Sequence, residues 1–217
     1  MEHRRRGPRG LFGLTGIVVG VAASLLVGSV PAGASLAEQS ESSAFLNSAF
    51  FWNFNASPPG ANTGCHPSAA HPYPVVLTEG TFASMYNSFG AMSPDLVNNG
   101  YCVYAFNYGQ TIPLTGLYAM GDIAKSASQL SNEVSSVLAT TGASKVDIVG
   151  WSQGGMMPRY YINNLGGASK VNMLVGLSPS NYGTNLGGLV NLIADLGLLG
   201  LSTALLSVTC TACVQQF

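Results

Sequence analysis

The stretch VGWSQGGMM, Val149 to Met157, sets one serine among glycines. Gly150-Trp151-Ser152-Gln153-Gly154 has the G-x-S-x-G spacing of a nucleophile elbow, whose serine hydroxyl attacks a carbonyl carbon. The spacing has a steric cause. A serine held on a strained turn leaves no room for side chains two residues to either side, so glycine is required there. The β-branched run Val146, Ile148 and Val149 leads into the motif, and Gly154-Gly155 leads out of it. A strand, a sharp turn and a helix are therefore expected, with Gly150 and Gly154 as the elbow glycines. Without that context the same pentapeptide would read as a glycine-rich turn carrying an idle serine. A helix starting at Gln153 would aim its first backbone N–H groups at a developing oxyanion. The second oxyanion donor should come from the loop after the first strand. That loop is Glu79-Gly80-Thr81-Phe82, in which Gly80 permits close approach and the Thr81 N–H is the candidate donor.

A serine needs a base, and the three histidines, His3, His66 and His71, all precede Ser152. In this class of site the order is serine, then acid, then histidine. After Ser152 the chain offers Asp195 as an acid and no histidine. His71 comes just before the strand at 74–78, whereas ligands gather at the carboxyl ends of such strands. Five residues at about 3.3 Å each put it roughly 16 Å away, outside hydrogen-bond reach. His66 is next to Cys65, which is expected to tie it down.

The elements that must position these groups follow from periodicity. Strand signals lie at 74–78, 101–106, 146–149 and 171–177. Helix signals lie at 84–99, 122–141 and 153–165. In the second helix Ile123, Leu130, Val134, Val137 and Leu138 share one side, and Gly142 is its stop. Strands alternating with helices of this length predict a single α/β domain with a mostly parallel sheet. Residues 35–73 read as a leader of little regular pattern, whose aromatic residues (Phe45, Phe50, Phe51, Trp52 and Phe54) pack on the domain or meet lipid. Residues 185–208 are almost wholly apolar, with Asp195 as the sole charge, and read as a lid or an acyl-binding wall.

The first 34 residues have the design of a cleaved secretory signal. Arg4, Arg5, Arg6 and Arg9 precede an uncharged apolar run, and Ala32-Gly33-Ala34 closes it. An uncleaved anchor is the alternative, since the run is about long enough to span a bilayer. The full chain has 8 basic and 9 acidic residues. Removing those four arginines and Glu2 leaves four basic against eight acidic residues, a net charge of −4. So little positive charge cannot neutralise a row of phosphates, which argues against nucleic acid as a partner. Cys65, Cys102, Cys210 and Cys213 remain. Export permits disulfides, and four cysteines allow three pairings among which the sequence does not choose. Cys210-Thr-Ala-Cys213 has redox or zinc spacing, but one such pair without a second points to a disulfide rather than a metal.

The blocks HPYPVVLTEGTF, NNGYCVYAFNYG, GWSQGGMMPRYYI, LSPSNYGTNL and CTACVQQ resemble successive blocks of the secreted bacterial lipases of class 2. The resemblance runs from about residue 65 to the carboxyl end. It implies an α/β-hydrolase fold over 74–217 and hydrolysis of acylglycerols or simpler carboxylic esters, with a lipid interface as the setting. It also implies Ser152 as nucleophile, the Thr81 and Gln153 amides as oxyanion hole, and no metal or organic cofactor. The chain departs from the family at Glu79 and Trp151, where histidine is usual. A carboxylate at Glu79 would oppose an oxyanion by roughly 1–4 kcal/mol at 4 Å. The larger departure is the missing acid-and-histidine region. With the strand at 171–177 left as an apolar edge, it leads to the expectation that this is the amino-terminal part of a lipase, incomplete on the carboxyl side and inactive as it stands. Two other readings compete: a secreted lipid-binding relative without catalysis, and an enzyme that transfers acyl groups to an acceptor other than water.

Overall fold

The structure, a computed structural model, describes residues 35–50, 55–184 and 207–216. The expected signal at 1–34, residues 51–54 of the aromatic cluster, and the apolar segment up to residue 206, Asp195 included, lie outside the described residues.

Helix α1 (Glu41–Phe50) comes first, then β1 (Val75–Thr78), α2 (Met85–Phe89), α3 (Met92–Asn98) and β2 (Val103–Ala105). They are followed by α4 (Ile123–Thr141), β3 (Val146–Trp151), α5 (Gln153–Asn164), β4 (Val171–Leu177) and α6 (Thr211–Gln216). The four strands form one sheet in the order β2-β1-β3-β4, and every pairing is parallel. The fold is α/β. The chain lays β2 on one side of β1 and then crosses to lay β3 on the other. The strand order therefore reverses between β1 and β3, the place where open parallel sheets bind ligands at their carboxyl ends.

Strand alternation divides the core into two layers. Val76, Tyr104, Val146 and Ile148 face α4 and α5, while Val75, Leu77, Val103 and Ala105 face α2 and α3. Both faces of β1 are covered, which is why its residues form an unbroken apolar run ending in a buried threonine. Helix α4 shows the three-and-four spacing that the sequence predicts. Ile123, Ala127, Leu130, Val134 and Val137 are buried, and a side chain such as Leu130 contributes roughly 1.5–3 kcal/mol by leaving water. The Asp122 carboxylate accepts the Lys125 N–H at 2.9 Å to start this helix, and Gly142, at φ 69°, ends it.

Two expectations are corrected. The helix expected over 84–99 is two short helices. Pro94 is the cause: it has no N–H, and in a continuous helix its ring would meet the Gly90 carbonyl, so a new helix begins at Met92 with Pro94 in its first turn. The leader, read as irregular, contains α1. Ser40 caps that helix by accepting the Ser43 N–H at 3.2 Å. Gly90 lets it lie close, since a Cβ there would stand 2.7 Å from that of Ala44. Strand β3 also runs two residues past the expected end, because Gly150 and Trp151 pair with Gly176 and Leu177.

Strand β4 is an edge among the described strands. Its Met173 and Val175 are 55% and 39% exposed. The cysteines pair as Cys65–Cys102 and Cys210–Cys213. Among the described residues no helix is long and apolar enough to cross a membrane.

Candidate active site

Ser152 stands between the last residue of β3 and the first of α5, at φ 53° and ψ −118°. A non-glycine residue there is strained, and the neighbours show how the strain is held. The Ser152 N–H donates to the Leu177 carbonyl at 2.9 Å, and its own carbonyl accepts the Gly155 N–H at 3.0 Å. A Cβ at Gly150 would lie 1.9 Å from the Gly154 carbonyl oxygen. A Cβ at Gly154 would lie 1.9 Å from that of Thr78. Both elbow glycines are therefore dictated by backbone, which cannot give way. The buried Thr78 hydroxyl fastens β1 to the elbow by donating to the Gly154 carbonyl at 2.8 Å.

The loop after β1 meets this turn. A Cβ at Gly80 would stand 3.1 Å from the Ser152 Cβ and 3.0 Å from the Trp151 ring. The Ala83 N–H closes a turn on the Gly80 carbonyl at 3.1 Å, with Phe82 at φ 66°. The Phe82 N–H goes to the Tyr118 carbonyl at 3.0 Å. Those two donors are spoken for, and Thr81 itself lines the cavity with Ser152. Gln153 opens α5, so its N–H belongs to the first helical turn, whose donors have no partner within the helix. Thr81, Phe82, Ser152, Pro179 and Gln216 help to line a cavity of about 240 Å³. A second cleft of about 530 Å³ includes Leu46, Phe89, Met92, Trp151 and Leu177 in its lining. Trp151, next to Ser152 in the chain and 42% exposed, is part of that cleft's lining.

Side chains add to the backbone frame. The Gln153 side chain is buried, and its Nε2 donates to Thr81 Oγ1 at 2.9 Å and to the Ala119 carbonyl at 2.7 Å. From α6, Gln216 Nε2 reaches the same Thr81 Oγ1 at 3.1 Å.

A family model described as lipase (class 2) matches residues 72–190, more than half of the chain. The chain belongs to the lipase (class 2) family. A triacylglycerol lipase of Pseudarthrobacter phenanthrenivorans is 36% identical over 97 residues, 42% of this chain and 28% of that relative. One of Burkholderia plantarii is also 36% identical over 97 residues, 42% of this chain and 25% of its own length. The matched stretch thus spans about a quarter of the length of these relatives. Among solved structures, Bacillus licheniformis lipase BlEst2 in its mature form aligns at TM-score 0.48 and 19% identity, over 70% of this chain and 65% of that one. Its propeptide form aligns at 0.47 and 21%, over 58% and 26%.

In this lipase-family chain the expected site residues come together as follows. Ser152, Gln153, Gly150 and Gly154 form the turn, and Thr81 stands beside it, its hydroxyl within 2.9 Å of the Gln153 side-chain amide. Glu79 departs from the expectation of an opposing charge. Its side chain is wholly buried, Oε1 accepts the Tyr108 N–H at 3.0 Å, and Oε2 has no hydrogen-bond partner. Burial raises its pKa well above the ordinary value of 4.5, more than the hydrogen bonds from backbone lower it. Burial thus favours the protonated form, and the side chain is not part of the cavity lining. His71 stacks on Tyr101 with ring centroids 3.8 Å apart, before the start of β1, while Ser152 follows the end of β3. The two lie at opposite edges of the sheet. Among the described residues lining the cavity there is neither a histidine nor a carboxylate. Sequence reasoning missed Gln216 and Thr78. The CTACVQQ block held Gln216, but nothing local assigned it to this cavity.

Proposed function

We propose that this chain is a serine ester hydrolase acting on acylglycerols or simpler carboxylic esters, with Ser152 as its nucleophile. The observation that carries the reading is the strained Ser152 at the head of α5, with the Gly80-Thr81 loop packed against it. In this reading Ser152 Oγ attacks the ester carbonyl carbon and its proton passes to a base. The oxyanion is held by the Thr81 and Gln153 N–H groups, collapse expels the alcohol, and water later releases the acid. The base is neither His66 nor His71. The apolar cleft at Trp151 suits the hydrocarbon part of a substrate, and the relatives named triacylglycerol lipases support an acylglycerol. Residues 1–34 act as a secretory signal, in keeping with the two disulfides, and residues 185–208 act as a lid at a lipid surface. No cofactor enters the scheme.

An alkyl p-nitrophenyl phosphonate tests the reading. Ser152 Oγ bonds to phosphorus, p-nitrophenolate leaves and the serine proton goes to solvent. Peptide mass mapping should find the phosphonyl group on Ser152, and the Ser152→Ala variant should not take it up. Label on another residue, or none, counts against Ser152 as nucleophile. A lipid-binding reading without catalysis is favoured by a cavity lining that, among the described residues, holds neither histidine nor carboxylate. It would appear as tight binding of a fatty acid by a chain whose Ser152 stays unlabelled.

A further inference from the structure

Four hydrogen bonds made by Gln216 meet at the wall of the cavity. Its Nε2 donates to Thr81 Oγ1 at 3.1 Å and to the Ala212 carbonyl at 3.0 Å. Its Oε1 accepts from the Ser180 hydroxyl at 2.9 Å, and its main-chain carbonyl accepts the Thr184 N–H at 2.8 Å. The residue is 5% exposed. One side chain from α6 thus binds the loop after β1 to the loop after β4.

The direction of these bonds follows from chemistry. Ala212 and Ala119 offer carbonyl oxygens, which only accept, so the NH₂ ends of Gln216 and Gln153 must face them. The same two NH₂ groups lie against Thr81 Oγ1, so both donate to it. A hydroxyl has two lone pairs and one proton. With both lone pairs engaged, the Thr81 proton has to point away from both amides, and Thr81 lines the cavity together with Ser152.

We propose that Gln216 is a positioning residue of the ester-cleaving site. Together with Gln153 it occupies both lone pairs of the Thr81 hydroxyl and turns the hydroxyl proton into the cavity beside Ser152. The cavity then holds three donors for an oxyanion: two backbone N–H groups and the Thr81 O–H. The inference rests on reading Ser152 as the nucleophile. Gln216 does not touch the substrate, and it acts by fixing the rotor of a hydroxyl.

A double-mutant cycle on the rate of Ser152 phosphonylation tests it. The tetrahedral phosphonyl oxygen occupies the place of the oxyanion, so the rate reports the hole directly. Losing a well-placed oxyanion donor costs about 10²–10³ in rate, and loosening one costs less. Gln216→Leu should slow labelling about tenfold. Gln216→Met keeps the length of the side chain and adds no charge but cannot donate to Ala212 or Thr81, and it should slow labelling similarly. Thr81→Val removes the hydroxyl and keeps the backbone N–H. In that background a Gln216 substitution should cause no further loss. Should Gln216→Leu fail to fold, Gln216→Met carries the same cycle. Full-rate labelling in a folded Gln216 variant overturns the proposal, and so does a loss of equal size with and without the Thr81 hydroxyl. A wild-type chain that takes no label on Ser152 overturns the nucleophile reading, and this inference falls with it.

Discussion

Tyr108 holds Glu79 from two directions. Its backbone N–H donates to the Glu79 side chain at 3.0 Å, and its hydroxyl donates to the Glu79 main-chain carbonyl at 2.6 Å. This places a buried acid immediately before the Gly80-Thr81 turn and fixes the backbone from which that turn springs.

Glu79 should make stability depend on pH with an unusual sign. Burial raises its folded pKa well above 4.5, so the fold binds this proton more tightly than the unfolded chain does. Its contribution is fully present below the ordinary carboxylate range and is lost as pH rises through the folded pKa. Within that window the loss amounts to about 1.4 kcal/mol per pH unit. Glu79→Gln keeps the shape and the acceptor for Tyr108 and has no such proton. Its melting temperature should exceed that of the wild type increasingly as pH rises, and equal slopes in the two proteins would rule out a neutral Glu79.

Tyr108→Phe removes the hydroxyl and leaves the Glu79 carbonyl without that donor. The expected cost is about 1–3 kcal/mol, readable as a lower urea midpoint at unchanged slope. Ser152 labelling should slow as well, because the turn at Thr81 is no longer held from below. A variant with wild-type stability and labelling would show that this grip has no consequence.

The elbow glycines should tolerate no side chain. A methyl group at Gly150 or Gly154 meets a backbone oxygen at 1.9 Å, well inside any contact that side-chain motion can relieve. Gly150→Ala and Gly154→Ala should each destabilise by about 3 kcal/mol or more. Gly142→Ala is the contrast. No atom lies within 4 Å of its Cβ position, and only its φ of 69° opposes the change, so the loss should stay near 1 kcal/mol. Thermal melts of the three variants would reverse this ranking only if the elbow backbone can shift.

Turnover should be lost far more completely than labelling, which needs one slow attack by Ser152 and no deacylation. In the chain of 217 residues no histidine follows Ser152, and His71 lies at the far edge of the sheet. Loss of the histidine in a serine hydrolase costs on the order of 10⁶ in kcat. The 217-residue chain should hydrolyse p-nitrophenyl butyrate no faster than its Ser152→Ala variant. A large Ser152-dependent rate would require a base of another kind within these residues.

Features set by neighbours in sequence were the legible ones. Helix α4 has its cap at Asp122, its stop at Gly142 and its apolar stripe all within one window, and β4 was expected at the limits it has. Around Ser152, Gly150 is demanded by the Gly154 carbonyl within the same short stretch, whereas Gly154 is demanded by that of Thr78 in β1, far away in the chain. Helix α1 was not, since its serines and Asn47 resemble a loop and it packs near Gly90. Pro94 was a signal present in the sequence but outweighed by the apolar pattern around it. The raised pKa of Glu79 depends on burial that only the assembled sheet creates. Gln216 meets Thr81 across 135 residues of chain, a distance over which periodicity carries no information.

The strand order also sets the timetable on which the chain can fold. Strand β1 is made first and ends in the interior, and its second partner is β3, where Val76 meets Ile148 more than seventy residues later. Until β3 has been synthesised, β1 can satisfy one edge only, through β2. The Cys65–Cys102 bond closes the loop that contains β1 and ends at the threshold of β2. Oxidation of that pair can therefore fasten the early half of the sheet while its central strand waits. Contacts this distant in sequence fold slowly, and the early crosslink shortens the search they require.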